Sequence, residues 1–492
     1  MAKRVAVIDI GSNSVRMVVY EKTSRFAFHI LHEAKSRVRI SENAYQNDGN
    51  LQEIPMQRAF DALKDFLSII SSFKARKILC VATSALRDAP NQKDFINRVR
   101  NHLGLNIKVI DGQREAYLGA VACINLLPQQ RNALSIDIGG GSTEFSLIDK
   151  QIITSNISVN LGTVRLKELF FDKDDIEGAK IYVDSQLKQL DEANISTIIG
   201  IGGTFRAISN VILNKSGYPI DKLHSYEPNY DEFQSLLKKI VKSDEDELKN
   251  LGIKNSRLDV IKPGAFILLR VFEKFKIEKL LTSGAGVREG VFLTDLLRNS
   301  NDRFPPNYNT SLRYILDSHI DNHAYANQLC KVSKMLFDLM HEELKIEKKY
   351  RHELSIAAKL CMSGNNIHYY SHNKNSYNLI KDALEFGFTH EQIILIATLS
   401  RYAKRKLPSP SHIQKFKTLL PDSEQLESLS YLLSLAVTLL SHYPKNIDFT
   451  LSFENSELKI ESKNSLYLAK ESVRKLDMMT NNSINISFYN LS

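Results

Sequence analysis

The sequence predicts an α/β protein built on a duplicated domain and followed by a mainly helical region. The first indication is the pattern Asp-Ile-Gly-x-x-Ser between two apolar runs, which occurs at residues 6–20 and again at residues 134–148. The second is the alternation of strand-like and helix-like segments up to about residue 300. The third is the polar segment at residues 299–309, where Pro305 and Pro306 exclude helix and indicate a domain boundary.

The repeat at residues 134–148, LSIDIGGGSTEFSLI, is typical of a strand, a tight turn and a second strand. The glycines of the turn let a charged ligand approach the backbone and its N–H groups. Asp137 and Glu144 flank the turn with the carboxylate oxygens that Mg²⁺ binds alongside phosphate and water. The phosphate-binding candidates in this copy are Gly139, Gly140, Gly141 and Ser142. A glycine-rich hairpin without a chemical role is the alternative interpretation.

The repeat at residues 6–20, AVIDIGSNSVRMVVY, aligns with the later one residue for residue. Asp9 falls on Asp137, and Arg16 falls on Glu144, so one hairpin offers a cation for phosphate oxygens and the other an acid for a metal ion. We expect the two copies to face each other across a phosphate chain. The phosphate-binding candidates in this copy are Gly11, Ser12, Asn13, Ser14 and Arg16. A chance similarity between two strand-turn hairpins is the alternative.

Strand and helix patterns alternate between the two repeats. The spacing predicts a helix over 54–73, a buried strand over 77–81, a helix over 92–102 and a strand over 107–110. Arg87 follows the first of these strands in ATSALRDAPN, where a side chain at the mouth of a sheet can reach a phosphate. Solvation or a local ion pair is the alternative for this arginine.

Glu115 lies at the start of the next predicted helix, close to the carboxyl end of a strand, where active sites of α/β sheets are found. A carboxylate near bound anions has a raised pKa, which suits a general base acting on water. The alternative is an ordinary acid in a first helical turn, where the helix dipole favours it. The spacing alone favours this alternative.

After the second repeat, Arg165 and Glu168 follow a strand, and residues 197–201 form an apolar strand that leads into GGTFRAI. A glycine turn that opens a helix can bind phosphate or nucleotide at the helix amino terminus. The candidates here are Gly202, Gly203 and Thr204. The segment is neither a Walker loop nor a complete G-x-G-x-x-G, so by itself it is a weak signal. A helix over 263–275, a strand over 279–281 and the turn SGAGVREG complete this half.

The composition is that of a globular protein with a preference for anions. Its 492 residues suffice for two to four domains, and the net charge of +9 favours a polyanionic partner without identifying one. The four cysteines are far apart, so buried thiols in a reducing cytoplasm are expected rather than a zinc or redox site. No cleavable signal follows the amino terminus, and no apolar stretch is long enough for a bilayer. We therefore expect a cytoplasmic protein without membrane contact.

The motifs taken together resemble the exopolyphosphatase and guanosine pentaphosphate phosphohydrolase (Ppx/GppA) family of the acetate and sugar kinase, chaperone and actin superfamily. Six motifs occur in the family's order within residues 5–300: the hairpin pair, TSALRDAPN, the element ending in Glu115 and Ala116, LGTVRL, GIGGT and SGAGVREG. The resemblance implies two ribonuclease-H-like, actin-like subdomains around a cleft, which we place at residues 1–128 and 129–300.

The resemblance also implies residue roles. The family's catalytic carboxylate falls on Glu115, and the acids of its second phosphate loop fall on Asp137 and Glu144. Many relatives carry further acids just before that glutamate, whereas this chain has Gln113 and Arg114. Glu115 is therefore the only local candidate.

Residues 310–492 are predicted to be mainly helical, with a hairpin over 447–453 and 458–462, and they resemble the HD-type domain of some family members. An adjacent His-Asp pair binds the metal in HD phosphohydrolases, but Cys361-Met362 stands at the matching place. Two further histidine pairs have the spacing of one helical turn: His319 with His323, and His368 with His372. We expect scaffolding, chain binding or dimerisation instead of a metal site. The basic run at 401–406 could guide a polyanion, although solvated helix charges explain it almost as well.

The predicted function is hydrolysis of terminal phosphoanhydride bonds in polyphosphate or pppGpp, with Mg²⁺ as cofactor and Glu115 activating water. A homodimer is expected, and no specific nucleic-acid partner. Two other functions stay open. One is a kinase of the same superfamily, which would require an acceptor other than water. The other is a non-catalytic protein that binds an alarmone such as ppGpp, or an ATP-driven assembly protein, in which the hairpins bind nucleotide. The sequence does not separate long polyphosphate from pppGpp.

Overall fold

The computed structural model describes residues 3–190, 195–404, 406–476 and 484–490. The chain forms two compact units, Met1–Asn309 and Thr310–Ser492. No helix within these described ranges is both long and apolar enough to cross a bilayer.

A five-stranded sheet begins the first unit. Its strands are β1 (Arg4–Ile10), β2 (Val15–Lys22), β3 (Phe28–Ser36), β4 (Lys77–Ala82) and β5 (Lys108–Val109). They lie in the order β3-β2-β1-β4-β5, with β1, β2 and β3 antiparallel and β4 and β5 parallel to β1. The helices of this part are α1 (Glu53–Ser72), α2 (Ser84–Arg87), α3 (Gln92–Leu103) and α4 (Gly112–Leu126).

A second sheet repeats the same plan. Its strands are β6 (Ala133–Ile138), β7 (Thr143–Asp149), β8 (Ile152–Val159), β9 (Thr197–Ile201) and β10 (Lys279–Thr282). Their order is β10-β9-β6-β7-β8, which is the topology of the first sheet: an antiparallel meander of three strands, extended by two parallel strands. The helices of this part are α5 (Thr163–Leu169), α6 (Ile176–Leu187), α7 (Gly202–Lys215), α8 (Tyr230–Lys242), α9 (Glu245–Asn250), α10 (Leu258–Lys274) and α11 (Val287–Leu296). The predicted duplicated α/β fold is therefore confirmed.

The two repeated hairpins also agree in register. Asp9 on β1 pairs with Arg16 on β2, and Asp137 on β6 pairs with Glu144 on β7. A backbone hydrogen bond closes each turn in the same way, from Gly11 N to Ser14 O at 3.2 Å and from Gly139 N to Ser142 O at 2.9 Å. The alignment made from the sequence thus corresponds to equivalent positions in three dimensions.

Apolar faces attach the helices to the sheets. On α1, Met56, Leu63 and Phe66 are buried at helical spacing and pack with the strands of the first sheet. Helix α4 precedes the second repeat in the sequence but packs on β7 and β8 of the second sheet. Helix α11 follows β10 of the second sheet but packs on β1 of the first sheet and on α4. Helix α4, which has Glu115 in its first turn, therefore packs on the second sheet.

Two predicted boundaries in this unit differ from the structure. Helix α10 begins at Leu258, five residues before the predicted start at Pro263, which lies inside the helix. Proline removes one backbone hydrogen bond and crowds the preceding turn, but the buried face from Val260 to Phe272 stabilises the helix around it. Strand β5 is limited to two residues because only Val81 and Ala82 of β4 pair with it.

The second unit is mainly helical, as predicted. Its helices are α12 (Thr310–His319), α13 (His323–Met340), α14 (Arg351–Leu360), α15 (His372–Ala383), α16 (His390–Tyr402), α17 (Pro410–Lys415), α18 (Ser423–Leu439) and α19 (Tyr467–Arg474). Its strands are β11 (Thr450–Glu454), β12 (Glu457–Ser462) and β13 (Asn485–Asn490). The sheet order is β11-β12-β13, so the predicted hairpin gains a third, parallel strand. Short 3₁₀ turns at 171–173, 255–257, 348–350 and 369–371 complete the described structure.

The histidine pairs of the second unit are not arranged on common helices. His319 ends α12 and His323 begins α13, because Asn322 caps α13 by accepting a hydrogen bond from the N–H of Tyr325. His372 Nδ1 lies 3.4 Å from the carbonyl oxygen of Cys361. In the part of the chain that the structure describes, no three His, Cys, Asp or Glu side chains are grouped to hold a metal ion. Arg405 of the predicted basic run lies outside the described residues.

Candidate active site

The turns of the two repeats lie against each other. A side-chain carbon added at Gly140 would lie 2.6 Å from Cβ of Ser12 and 3.3 Å from its Oγ, so glycine is required for this approach. The Ser12 hydroxyl also lies 3.2 Å from the hydroxyl of Ser84 at the start of α2. The two copies therefore face each other, as the repeated pattern predicts.

A polar cleft with an empty volume of about 1020 Å³ lies beside these turns. Its lining includes thirteen of the residues predicted to bind phosphate or metal or to act in catalysis. They are Gly11, Ser12, Asn13, Ser14, Arg16, Glu115, Asp137, Gly139, Gly140, Glu144, Gly202, Gly203 and Thr204. Four segments that are distant in the chain thus share one cavity.

Glu115 projects into this cleft from the first turn of α4. Asp111 begins the helix by accepting a hydrogen bond from the N–H of Arg114 at 2.7 Å, which fixes the turn. Glu115 is only 7% exposed, and its Oε2 accepts a hydrogen bond from Arg87 Nη1 at 2.9 Å. Burial and then the neighbouring Glu144 raise the pKa of Glu115 well above its usual value, against the lowering by Arg87. A carboxylate in this setting has the basicity to accept a proton from water.

Three predicted residues stand behind the cleft lining. Arg87 donates to Glu115 and, from Nη2, to Ser142 Oγ at 3.4 Å. Ser142 is buried and donates its own hydroxyl proton to Glu144 Oε1 at 2.5 Å. A side chain at Gly141 would collide with the hydroxyl of Tyr45. These residues therefore contact the acids and loops around the cleft instead of lining it.

Glu144 is buried, with 4% of its surface exposed, and lies near Glu115. Its Oε1 accepts hydrogen bonds from Ser142 and, at 2.9 Å, from Ser158. Burial raises the pKa of Glu144 to about 7, although these hydroxyl groups lower it. A cation placed near this carboxylate would stabilise its charged form.

Asp9 and Asp137 form the equivalent pair of acids from the two repeats. Burial raises the pKa of Asp9 to about 6 and also raises the pKa of Asp137, in both cases against nearby arginines. Gly202 has a φ of +76°, and a side chain there would collide with the Asp137 carboxylate. Gly202 therefore makes room for an acid that faces the cleft.

A group of cations, which the sequence reasoning did not assign to the site, lines the rest of the cleft. It consists of Lys35, Arg37, Arg206, Arg257 and Arg288. Burial and mutual repulsion lower the pKa of Lys35 to about 8 and those of Arg206 and Arg257 to about 10. Across the described ranges, Arg16, Lys35, Arg206 and Arg257 form no ion pair with an acidic side chain. An anion is the ligand that such a group of like charges attracts.

Local sequence signals exist for only some of these cations. Arg206 and Arg288 each lie two to four residues after a glycine turn, in GGTFR and GAGVR, and that position could have been used to find them. Arg37 was noted only as part of a polar segment. Lys35 at the end of β3 and Arg257 in a 3₁₀ turn reach the cleft only through the tertiary fold. The guanidinium group of Arg257 packs against Gly203, where a side chain would collide with it.

Arg165 joins the two halves of the unit beside the cleft. Its Nε donates to the carbonyl oxygen of Gly141 at 2.8 Å, and its Nη2 pairs with Asp88 at 2.9 Å. Its guanidinium carbon lies 4.6 Å from the ring centre of Tyr45. The turn of the second repeat is thereby fixed to the segment that also carries Arg87.

Comparison with known proteins gives consistent matches over both units. The Ppx/GppA phosphatase family matches residues 18–299, and domain III of the Ppx/GppA phosphatases matches residues 310–482. The chain is 27% identical over 477 residues to a guanosine-5'-triphosphate,3'-diphosphate pyrophosphatase of Vibrio campbellii, covering 92% of this chain and 91% of that protein.

Two further similarities cover a little over half of the chain. A bifunctional 3-dehydroquinate synthase/phosphatase of Fusobacterium nucleatum is 32% identical over 299 residues, which is 56% of this chain; the match spans only 44% of that longer protein. The crystal structure of an exopolyphosphatase from Cytophaga hutchinsonii matches with a TM-score of 0.56 and 27% identity, covering 60% of this chain and 97% of that one.

Proposed function

Because this chain belongs to the Ppx/GppA phosphatase family of hydrolases, we propose that it hydrolyses the terminal phosphoanhydride bond of pppGpp, of inorganic polyphosphate, or of both. The names of its relatives, a pppGpp pyrophosphatase and an exopolyphosphatase, support these two substrates. Both substrates end in the same anhydride, which the facing turns would receive.

One observation carries the proposal: a group of cations, several of them without an acidic partner in the described structure, and a buried carboxylate of raised pKa line the same cleft between two equivalent turns. Cations with a glycine turn bind phosphate oxygens, while the carboxylate is placed to act on water. A site that only held nucleotide would not need the enclosed pair of Glu115 and Arg87.

In the proposed reaction, Glu115 accepts a proton from water as the water oxygen attacks the terminal phosphorus. A new P–O bond forms, the bridging P–O bond breaks, and the shortened chain or ppGpp leaves with the electron pair. Arg87 orients Glu115 through the hydrogen bond at 2.9 Å. Arg16 and the turn of residues 11–14 would contact the transferred group from one side, and Gly139 and Gly140 from the other.

The donor set fits a magnesium ion. Asp137 faces the cleft in the space that Gly202 leaves open, and Glu144 lies beside it with a raised pKa. We propose these two acids as ligands, since Mg²⁺ commonly takes one or two carboxylates together with phosphate oxygens and water. Bound there, the ion would supply neutralisation of charge on the phosphate oxygens. Asp9 also lines the cleft and is a further candidate ligand for the same ion. The sequence analysis had only aligned this residue with Asp137.

The subdomain limits of 1–128 and 129–300, the homodimer, the cytoplasmic location and the lack of a nucleic-acid partner stay predictions. The HD-type character of the second unit is likewise a prediction. None of them is needed for the reaction, because every proposed site residue belongs to the first unit.

The test is release of phosphate in the presence of Mg²⁺ from long-chain polyphosphate and from pppGpp, measured in parallel for the wild type and Glu115→Gln. The amide cannot accept the proton, so we expect turnover to fall by about 10²-fold or more in a protein that still folds. The exposed Glu53→Gln, at the start of α1, is the control. If Glu115→Gln released phosphate at the wild-type rate, Glu115 would be excluded as the general base. A requirement for another acceptor would indicate a kinase, and tight ppGpp binding without turnover would indicate a binding protein.

A further inference from the structure

The segment after α11, which the sequence predicts to be a domain boundary, is hydrogen-bonded to the helix of Glu115. Asn125, in the last turn of α4, donates from Nδ2 to the carbonyl oxygen of Asp302 at 2.8 Å and accepts at Oδ1 from the N–H of Phe304 at 3.0 Å. Its Nδ2 also donates to the carbonyl oxygen of Val121 at 2.9 Å. An aspartate of the same shape has no N–H to donate, so this pairing depends on the amide.

A second hydrogen bond from the same segment reaches the turn that carries Glu115. The hydroxyl group of Tyr117 donates to Asp302 Oδ2 at 2.9 Å, and the guanidinium carbon of Arg114 lies 5.0 Å from the centre of the Tyr117 ring. Residues two apart on a helix do not share a face, so Tyr117 fixes this turn from a different side than Glu115. Asp302 therefore contacts both ends of α4, with its carboxylate at Tyr117 and its carbonyl group at Asn125.

The backbone of this segment has an uncommon conformation. Asn301 and Asp302 have φ values of 51° and 55°, in the left-handed region that asparagine and aspartate adopt more readily than other residues with a side chain. Such residues persist where the surrounding contacts fix them. We call residues 301–308 the strap, because the contacts with α4 make this segment an ordered part of the first unit.

The other end of the strap packs on the first sheet. The rings of Phe304 and Tyr308 stack with their centres 5.5 Å apart. Both meet Phe26, in the turn between β2 and β3, edge to face at 6.5 Å and 5.7 Å. The strap thus ties α4, which packs on the second sheet, to a turn of the first sheet. The chain then continues into α12 at Thr310.

We propose that the strap positions the catalytic base: Asn125 and Tyr117, through Asp302, hold α4 so that Glu115 keeps its place beside Arg87. In the described part of the chain neither Asn125 nor Tyr117 lines the cleft, so both are positioning residues that act through Glu115. The inference rests on the proposed function, in which Glu115 accepts the proton of the attacking water. Loosening the strap would displace this carboxylate without removing a group that contacts substrate, so kcat should fall while KM is retained.

Amide hydrogen exchange of the full-length protein tests the strap independently of turnover. In Asn125→Ala we expect exchange in α4 and in residues 301–308 to become faster by about 10-fold or more, while α8 keeps its wild-type rate. Asn229→Ala is the matched control, because Asn229 caps α8 by accepting a hydrogen bond from the N–H of Glu232 at 3.0 Å. It should accelerate exchange in α8 and leave α4 unchanged. Wild-type exchange of α4 in Asn125→Ala would overturn the proposal.

Phosphate release from polyphosphate and pppGpp with Mg²⁺ tests whether the strap acts through Glu115. We expect Asn125→Ala to lower kcat by about 10-fold with KM changed less than about 2-fold, Tyr117→Phe to lower kcat by a smaller factor, and Asn229→Ala to have no effect. In the Glu115→Gln protein, adding Asn125→Ala should lower turnover by less than about 2-fold, because the base is already lost.

Two kinetic outcomes contradict the positioning role. One is an effect of Asn125→Ala on KM alone, and the other is an equal loss of turnover with and without Glu115. An absence of phosphate release in the wild type would reject the proposed function and the role of Glu115 as base, while the exchange pattern would still decide whether the strap fixes α4.

Discussion

At the scale of single residues, the site combines acids and cations whose protonation is shifted by burial. Four carboxyl groups, Asp9, Glu115, Asp137 and Glu144, have raised pKa values, while the pKa values of Lys35, Arg206 and Arg257 are lowered. Each shift means that the charged form is disfavoured in the folded protein without ligand. A phosphate chain with its metal ion supplies the missing counter-charges, so binding and ionisation are coupled.

Glu144→Gln should stabilise the ligand-free protein at alkaline pH. Burial raises the pKa of Glu144 from 4.5 to about 7, so the folded state holds this proton more tightly than the unfolded state. The resulting stability is fully present below about pH 4.5 and is lost as the pH rises through 7. Glutamine removes this loss. In EDTA, the free energy of unfolding of the mutant relative to wild type should rise by on the order of 1–3 kcal/mol between pH 5 and pH 8.

Denaturant unfolding at the two pH values provides the measurement, and the exposed Glu53→Gln is the control, expected to show no such difference. Parallel pH dependence of wild type and Glu144→Gln would mean that the carboxyl is already charged in the folded protein.

At the scale of secondary-structure elements, a glycine contact fixes the helix that carries Glu115. Gly290 on α11 packs against the backbone of α4, and a side chain there would collide with the carbonyl group of Leu118, three residues beyond Glu115. At Gly119, also on α4, an added side-chain carbon would lie 3.5 Å from Cδ1 of Ile201, which is an ordinary van der Waals contact. Helices α4 and α11 can approach this closely only because Gly290 has no side chain.

Gly290→Ala should therefore move α4 and reduce catalysis, whereas Gly119→Ala should not. Overpacking a helix contact costs about 1–3 kcal/mol, and displacement of Glu115 lowers kcat. Alanine at Gly119 fits the available space and gains helix propensity. Thermal unfolding and phosphate release measure the two effects. Equal behaviour of both variants would show that the helices separate without cost.

The elements themselves were largely predictable, and the limits of prediction were physical. Apolar runs identified the strands of both repeats, and the repeated pattern identified equivalent positions of the two hairpins, such as Asp9 and Asp137. The predicted start of α10 at Pro263 was wrong because the buried apolar face extends the helix back to Leu258, although proline usually stands in the first turn. Lys35 and Arg257 were missed because no local pattern marks a cation that the tertiary fold brings to a cleft. Strand β13, which pairs with β12, was not predicted from the sequence.

At the scale of the whole molecule, the site belongs to one of two units. All lining residues of the cleft lie before residue 310, within Met1–Asn309. The exopolyphosphatase from Cytophaga hutchinsonii matches 60% of this chain along 97% of its own length, so a protein of about this size folds by itself. The second unit is therefore not required to complete the proposed site.

A chain ending at residue 309 should fold and retain phosphate release from a short substrate such as tripolyphosphate, with kcat within about 10-fold of the full-length protein. Circular dichroism establishes folding, and Glu115→Gln in the short chain controls for contaminating phosphatase. A folded short chain without turnover would show that residues after 309 act in the reaction. If the short chain lost phosphate release only with long polyphosphate, the second unit would be assigned to binding of the polyphosphate chain.

The packing of α4 on the second sheet has a consequence for motion. Glu115 belongs by sequence to the segment before the second repeat, yet its helix is carried by β7 and β8. If the two halves rotate about a hinge, Glu115 travels with Asp137 and Glu144 as one body, and the turn of residues 11–14 moves against them. Opening would then separate Glu115 from the cations of the first half without changing the distance from Glu115 to the proposed metal ligands. Such a rotation would switch the reaction off by geometry while leaving the acidic half of the site intact.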